Sequence, residues 1–76
     1  MQFTANPDES KERIWELIIE TIGPEKASIV CSSSSSFYKT SDGIECSLRK
    51  INGELIGNCY SESDRMGKRR WSINFF

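Results

Sequence analysis

Apolar positions in the first third of the chain recur at helical spacing. Ile14, Trp15, Leu17, Ile18, Ile19 and Ile22 form one broad face, while Glu9, Arg13, Glu16 and Glu20 recur every three or four residues opposite it. This pattern predicts an amphipathic helix. Its start is expected at Asn6-Pro7-Asp8-Glu9, where Asn can cap free backbone N–H groups, Pro suits the first helical position, and early carboxylates suit the positive helix end. Its stop is expected near Ile22, because Gly23 can close the last turn at positive φ and Pro24 cannot continue it. Trp15 lies within the apolar stripe and reads as core rather than as a stacking platform for a ligand.

Beyond Pro24 the period falls to two. Ile44, Cys46 and Leu48 alternate with Glu45, Ser47 and Arg49, which is the pattern of a half-buried strand. Asn52-Gly53 follows as a two-residue hairpin turn, since both residues tolerate positive φ, and Leu55 to Ser61 returns as the next strand. Counting outward from that turn sets Ile51 opposite Glu54, Leu48 opposite Gly57, Cys46 opposite Cys59, and Glu45 opposite Tyr60. Lys68 to Phe76 alternates again, with Trp71, Ile73 and Phe75 on one side. A loop over 64–67 would bring this last strand back, with Trp71 beside Cys59 and Ile73 beside Gly57. Gly57 reads as a point of close approach by Ile73 or the helix.

The intervening segment is ambiguous. Ala27 to Cys31 and Phe37-Tyr38-Lys39 are β-prone, Ser32 to Ser36 is a run of serine, and Thr40-Ser41-Asp42-Gly43 is turn-like. Either one long edge strand crosses the serines, or two short strands flank a loop. The fold class expected is α+β: one N-terminal amphipathic helix packed on a three- or four-stranded antiparallel β-meander.

Length reinforces this picture. With 76 residues there is room for one small domain, and its thin margin over conformational entropy is compatible with a homodimer. Hydrophobic residues at 37% and charged residues at 28% are the balance of a chain that folds. The longest apolar stretches are too short to span a bilayer, and the first residues, with Asp8 and Glu9 and no apolar run, do not read as a signal peptide. A cytoplasmic location without membrane contact is expected.

Charge is nearly balanced at −1 but unevenly placed. Residues 1–38 carry three basic and six acidic side chains, residues 39–76 seven and five, so the halves hold −3 and +2. This falls short of the dense positive surface of a dedicated nucleic-acid binder.

The absence of histidine removes the usual general base, the Ser-His and Cys-His nucleophile pairs, and the commonest metal ligand. Cys31, Cys46 and Cys59 lack a C-x-x-C pair and read as reduced thiols rather than zinc ligands. The five glycines form no phosphate-cradling motif. The expectation is therefore no enzyme, no cofactor and no metal.

Two surfaces remain as candidates. The first is the sheet face turned away from the helix, where parity places Arg49, Ile56, Asn58, Tyr60, Arg70, Ser72, Asn74 and Phe76. Tyr and Arg are enriched where proteins grip one another, because rigid rings and a forked guanidinium give area and direction at modest entropic cost. The second is the basic stretch Arg65-Met66-Gly67-Lys68-Arg69-Arg70-Trp71, which could meet phosphates, although parity turns Trp71 inward. The function expected is a non-enzymatic protein-binding module, of the kind phages and mobile elements use to inhibit host enzymes or CRISPR-type defences. The alternative is a small nucleic-acid-binding protein using the basic turn and sheet.

Overall fold

In the computed structural model, which describes residues 1–41, 43–63 and 66–76, the alternating segments assemble into an antiparallel sheet beneath the helix. The elements in chain order are β1 (Gln2–Ala5), α1 (Lys11–Ala27), β2 (Ser36–Thr40), β3 (Gly43–Arg49), β4 (Leu55–Ser63) and β5 (Arg69–Phe75). The fold is α+β, and the sheet has five strands in the order β1-β5-β4-β3-β2. Strands β2 to β5 form the expected meander. The strand not foreseen is β1, which pairs with β5 from Gln2 opposite Ser72 to Ala5 opposite Arg69. The helix is thus preceded by a strand, and the connection through α1 carries the chain from one sheet edge to the other.

Asn6 does not cap the helix. Its carbonyl accepts from the backbone N–H of Glu9 at 3.2 Å in a turn, and the cap is Ser10, whose side chain accepts from the backbone N–H of Arg13 at 3.1 Å. A hydroxyl at this position satisfies one of the helix's unpaired N–H groups. Ile14, Ile18 and Ile22, one helical turn apart, are buried, with Trp15, Leu17 and Ile19 packed around them. Gly23 interrupts the helix at φ 86° and ψ 165°, after which Pro24 starts one further turn to Ala27. That turn places the Lys26 ammonium 4.6 Å from the centre of the Phe75 ring.

The β3–β4 register is the one counted from Asn52-Gly53: Leu48 opposite Gly57, Cys46 opposite Cys59, Glu45 opposite Tyr60. The turn itself is longer than two residues. Gly53 N–H donates to the Lys50 carbonyl at 2.9 Å and Lys50 N–H to the Glu54 carbonyl at 3.0 Å, leaving Ile51, Asn52 and Gly53 as a three-residue loop with Gly53 at φ 88°. Pairing then runs from Arg49 opposite Leu55 to Leu48 opposite Gly57, so Ile56 is the extra residue of a bulge that returns the strands to the counted register.

Between β4 and β5 the faces are as expected but the pairing is displaced by two residues. Trp71 stands opposite Ser61 and Ile73 opposite Cys59, because β4 extends to Ser63, which pairs with Arg69. Asp64, within the predicted loop, lies outside the described residues, as does Asp42 in the predicted turn before β3. Gly57 is a point of close approach, but to its neighbouring strand rather than to Ile73 or the helix. A Cβ there would lie 2.4 Å from the Asn74 carbonyl oxygen and 3.3 Å from the Phe75 ring.

The core is the layer between α1 and the inner sheet face, with Ile18, Cys46, Leu48 and Cys59 wholly buried beside Ala5, Val30, Trp71 and Ile73. The serine run adopts neither expected form, since residues 28–35 contain no strand and only β2 follows. The Ser35 hydroxyl and the backbone of Cys31, just before the run, instead tie off the end of β3. Cys31 N–H donates to the Arg49 carbonyl at 2.8 Å, and Arg49 N–H donates to the Ser35 hydroxyl at 3.0 Å.

Candidate functional site

Helix α1 covers the inner face of the sheet, and among the described residues no element covers the outer face. Register sets which side chains are neighbours there. One row crosses all five strands: Tyr38, Glu45, Tyr60, Ser72 and Gln2. A second crosses four, Ser36, Ser47, Asn58 and Asn74, and a third joins Glu62, Arg70 and Thr4. Opposed side chains in such rows lie about 5 Å apart at Cβ, close enough to present one composite surface.

Few of these groups are locked to one another. Tyr38 donates its hydroxyl hydrogen to Glu45 Oε2 at 2.9 Å, and Gln2 Nε2 donates to the Ser72 hydroxyl at 3.4 Å. Tyr38 and Tyr60 expose 44% and 40% of their surfaces. The Asn58 side-chain oxygen is buried without a hydrogen-bond partner among the described residues. An unpaired acceptor of this kind typically costs about 1–3 kcal/mol.

The residues expected at a site are distributed unevenly. Asn58, Tyr60, Arg70 and Asn74 share the outer face through the rows above. Arg49 belongs to that face but its guanidinium is tied down, donating Nη1–H to the Gly53 carbonyl at 2.8 Å and bracing the hairpin loop. Ile56, displaced by the bulge, packs against the core cluster. Phe76 is 77% exposed beyond the end of β5, its N–H donating to the Ile56 carbonyl at 3.0 Å. Lys68 is exposed ahead of β5, and Arg65 lies outside the described residues.

Arg69 and Arg70 point to opposite faces. Arg69 has the parity of Trp71 and Ile73 and reaches inward, its Nη1–H donating to the Ser61 hydroxyl at 3.3 Å, whereas Arg70 is exposed opposite Glu62. The basic stretch is therefore divided between two surfaces. Tyr38, Glu45 and Gln2 are among the outer-face residues that were not foreseen from sequence, as are Ser36, Ser47, Thr4 and Glu62. The β-prone run Phe37-Tyr38-Lys39 carried a signal for Tyr38, and the alternation of Ile44, Cys46 and Leu48 with Glu45 carried one for Glu45.

The thiols differ sharply. Cys46 and Cys59, opposite each other and fully buried, are unbridged, and burial pushes both up to about 12. Cys31 is half-buried, its sulfur 3.0 Å from the Ser33 hydroxyl, and that hydrogen bond holds its pKa below the usual thiol value. Among the described residues no three His, Cys, Asp or Glu side chains gather as a metal site would require, and no helix is long and apolar enough to cross a membrane.

Comparison with family models, curated proteins and solved structures finds no match to this chain.

Proposed function

We infer that this chain is a non-enzymatic protein-binding module, acting as a stoichiometric inhibitor or adaptor that offers the outer face of its sheet to a folded partner. The observation that carries this reading is the composition of the outer sheet face: two exposed tyrosines set among Ser36, Ser47, Ser72, Asn58 and Asn74. Tyr supplies broad contact at low entropic cost and Ser and Asn supply adaptable hydrogen bonds, which is the chemistry that antibody binding loops also use. A polar face of this kind is soluble when empty, since it lacks a large apolar patch.

Size sets a limit on what the face does alone. Four strand spacings of about 4.8 Å and seven residues of about 3.3 Å give a projection of roughly 19 by 23 Å. A stable interface buries about 800 Å² per partner. The outer face is therefore its centre, with Phe76, Leu55 and Ile51 at one end of the sheet, all exposed, extending the contact. Protein is preferred over nucleic acid because Arg69 and Arg70 diverge, whereas phosphate binding profits from cations gathered on one surface.

The test is affinity capture of the tagged chain from lysate of its source or host, with and without nuclease. A protein recovered in fixed stoichiometry after nuclease treatment supports the reading. Recovery only of nuclease-sensitive material overturns it in favour of the basic stretch.

A further inference from the structure

On the side of the sheet away from that face, the layers part at one end and leave a cavity of about 210 Å³. Its walls come from the Asn6-Pro7 turn, the first helical turns at Lys11 and Ile14, strand β2 at Phe37 and Lys39, and Arg69 and Trp71 of β5. Two hydrogen-bond donors on these wall residues are unsatisfied. Arg69 Nε and Trp71 Nε1 are each buried and have no partner among the described residues.

The guanidinium is nevertheless fixed. Arg69 Nη1 donates to the hydroxyl of Ser61, which is only 4% exposed and donates in turn to the Ile44 carbonyl at 3.3 Å. Among the described residues Arg69 has no carboxylate partner. Among the described residues Lys11 and Lys39 add two cations to the wall against the single carboxylate of Glu9, so the described lining is positive. Beside Asn6, Pro7 and Tyr38, its lining holds an apolar group of Ile14, Phe37, Ile44 and the Trp71 ring, which is held by Phe3 stacked at 6.0 Å and by Phe37 edge-on at 6.0 Å.

The geometry points to a binding site for a small monocarboxylate with an apolar body, a compact aromatic or short aliphatic acid. Its carboxylate pairs with the Arg69 guanidinium, flanked by the ammonium groups of Lys11 and Lys39, and its body lies against Ile14 and Phe37, close enough to the Arg69 Nε–H and Trp71 Nε1–H for both to report on occupancy. Arginine suits the task because its planar fork matches a carboxylate and it stays charged when desolvated. Size agrees, since an engineered cavity of about 150 Å³ accepts benzene and the volume here leaves room for a carboxylate beside such a ring.

The experiment is a titration of the intact ¹⁵N-labelled protein with sodium benzoate, sodium hexanoate and the neutral benzamide, following the Arg69 Nε–H and Trp71 indole N–H resonances. Trp15→Phe assigns the indole signal. Benzoate is expected to shift both resonances saturably and to bind about tenfold more tightly than benzamide. Arg69→Gln is expected to erase that preference and Glu9→Gln to strengthen benzoate binding. Lys11→Glu with Lys39→Glu, two exposed changes that spare the core, is expected to weaken it if Arg69→Gln does not fold.

Equal affinity for benzoate and benzamide, or no movement of either resonance, overturns the assignment. So does benzoate binding that survives the lysine pair unchanged. Tyr60→Ala and Arg70→Glu, on the opposite face, should leave benzoate affinity intact, which keeps the failure of this site distinct from the failure of the protein-binding reading.

Discussion

At Gly57 a single hydrogen in place of a side chain decides whether β4 and β5 can meet. The Asn74 carbonyl lies where a Cβ would be, so Gly57→Ala forces two central strands apart and is expected to cost about 3 kcal/mol or more. A urea midpoint close to that of the parent would contradict this. The thiols make a second residue-scale prediction. Cys46 and Cys59 keep their protons to about pH 12 when folded, against 9.0 when solvated, so the unfolded chain ionises first as pH rises. Between those values the folded state holds more protons, and stability falls with rising pH. Urea denaturation across this range should therefore show a shallower decline for Cys46→Ala/Cys59→Ala than for the parent. Below pH 9 the folded protein should react with iodoacetamide at Cys31 alone, where Ser33 favours the thiolate. That Cys46 and Cys59 sit in strands was legible from the sequence pattern, whereas Cys31, expected in a β-prone segment, lies in no strand. The unequal reactivity was not legible, because it depends on a serine turn that no period announces.

Helix α1 shows which signals travel reliably from sequence to element. Its buried stripe of Ile14, Ile18 and Ile22 and its break at Gly23 follow from spacing and from a backbone angle only glycine takes easily. Its start was misread because Asn6-Pro7-Asp8-Glu9 forms a turn with the same residues that favour a cap. Ser10→Ala removes the actual cap and should lower stability by about 1 kcal/mol, while Asn6→Ala should cost less. Equal effects on the urea midpoint would contradict the assignment of Ser10. The hairpin register was correct although the turn was one residue longer than counted, because the bulge at Ile56 cancels the difference. Strand β1 escaped notice since four residues are too few to establish a period, and its place is fixed by pairing with the far end of the chain. The displaced β4–β5 pairing arose in the same way, from loop length rather than from side-chain parity.

Across the whole molecule the sheet separates two chemistries. One side is the helix-covered core, ending in the cavity around Arg69. The other is a polar array that owes its neighbours to register: Tyr60 lies between Glu45 and Ser72, and Asn58 between Ser47 and Asn74. Half of that array could be foreseen once the hairpin was recognised. The rest required knowing that β2 and β1 form the two edges, which is a property of topology. The central claim is that the outer face, not the helix side, captures the partner. The measurement that tests it most directly is quantitative capture by the parent chain, by Tyr60→Ala/Arg70→Glu, and by the helix-surface variant Glu16→Lys, each confirmed as folded. Partner recovery should fall at least about tenfold for the outer-face pair, in line with loss of a central anchor, and stay near parental for Glu16→Lys. Full recovery with the outer-face pair and loss with Glu16→Lys would contradict the account and move the interface to the helix.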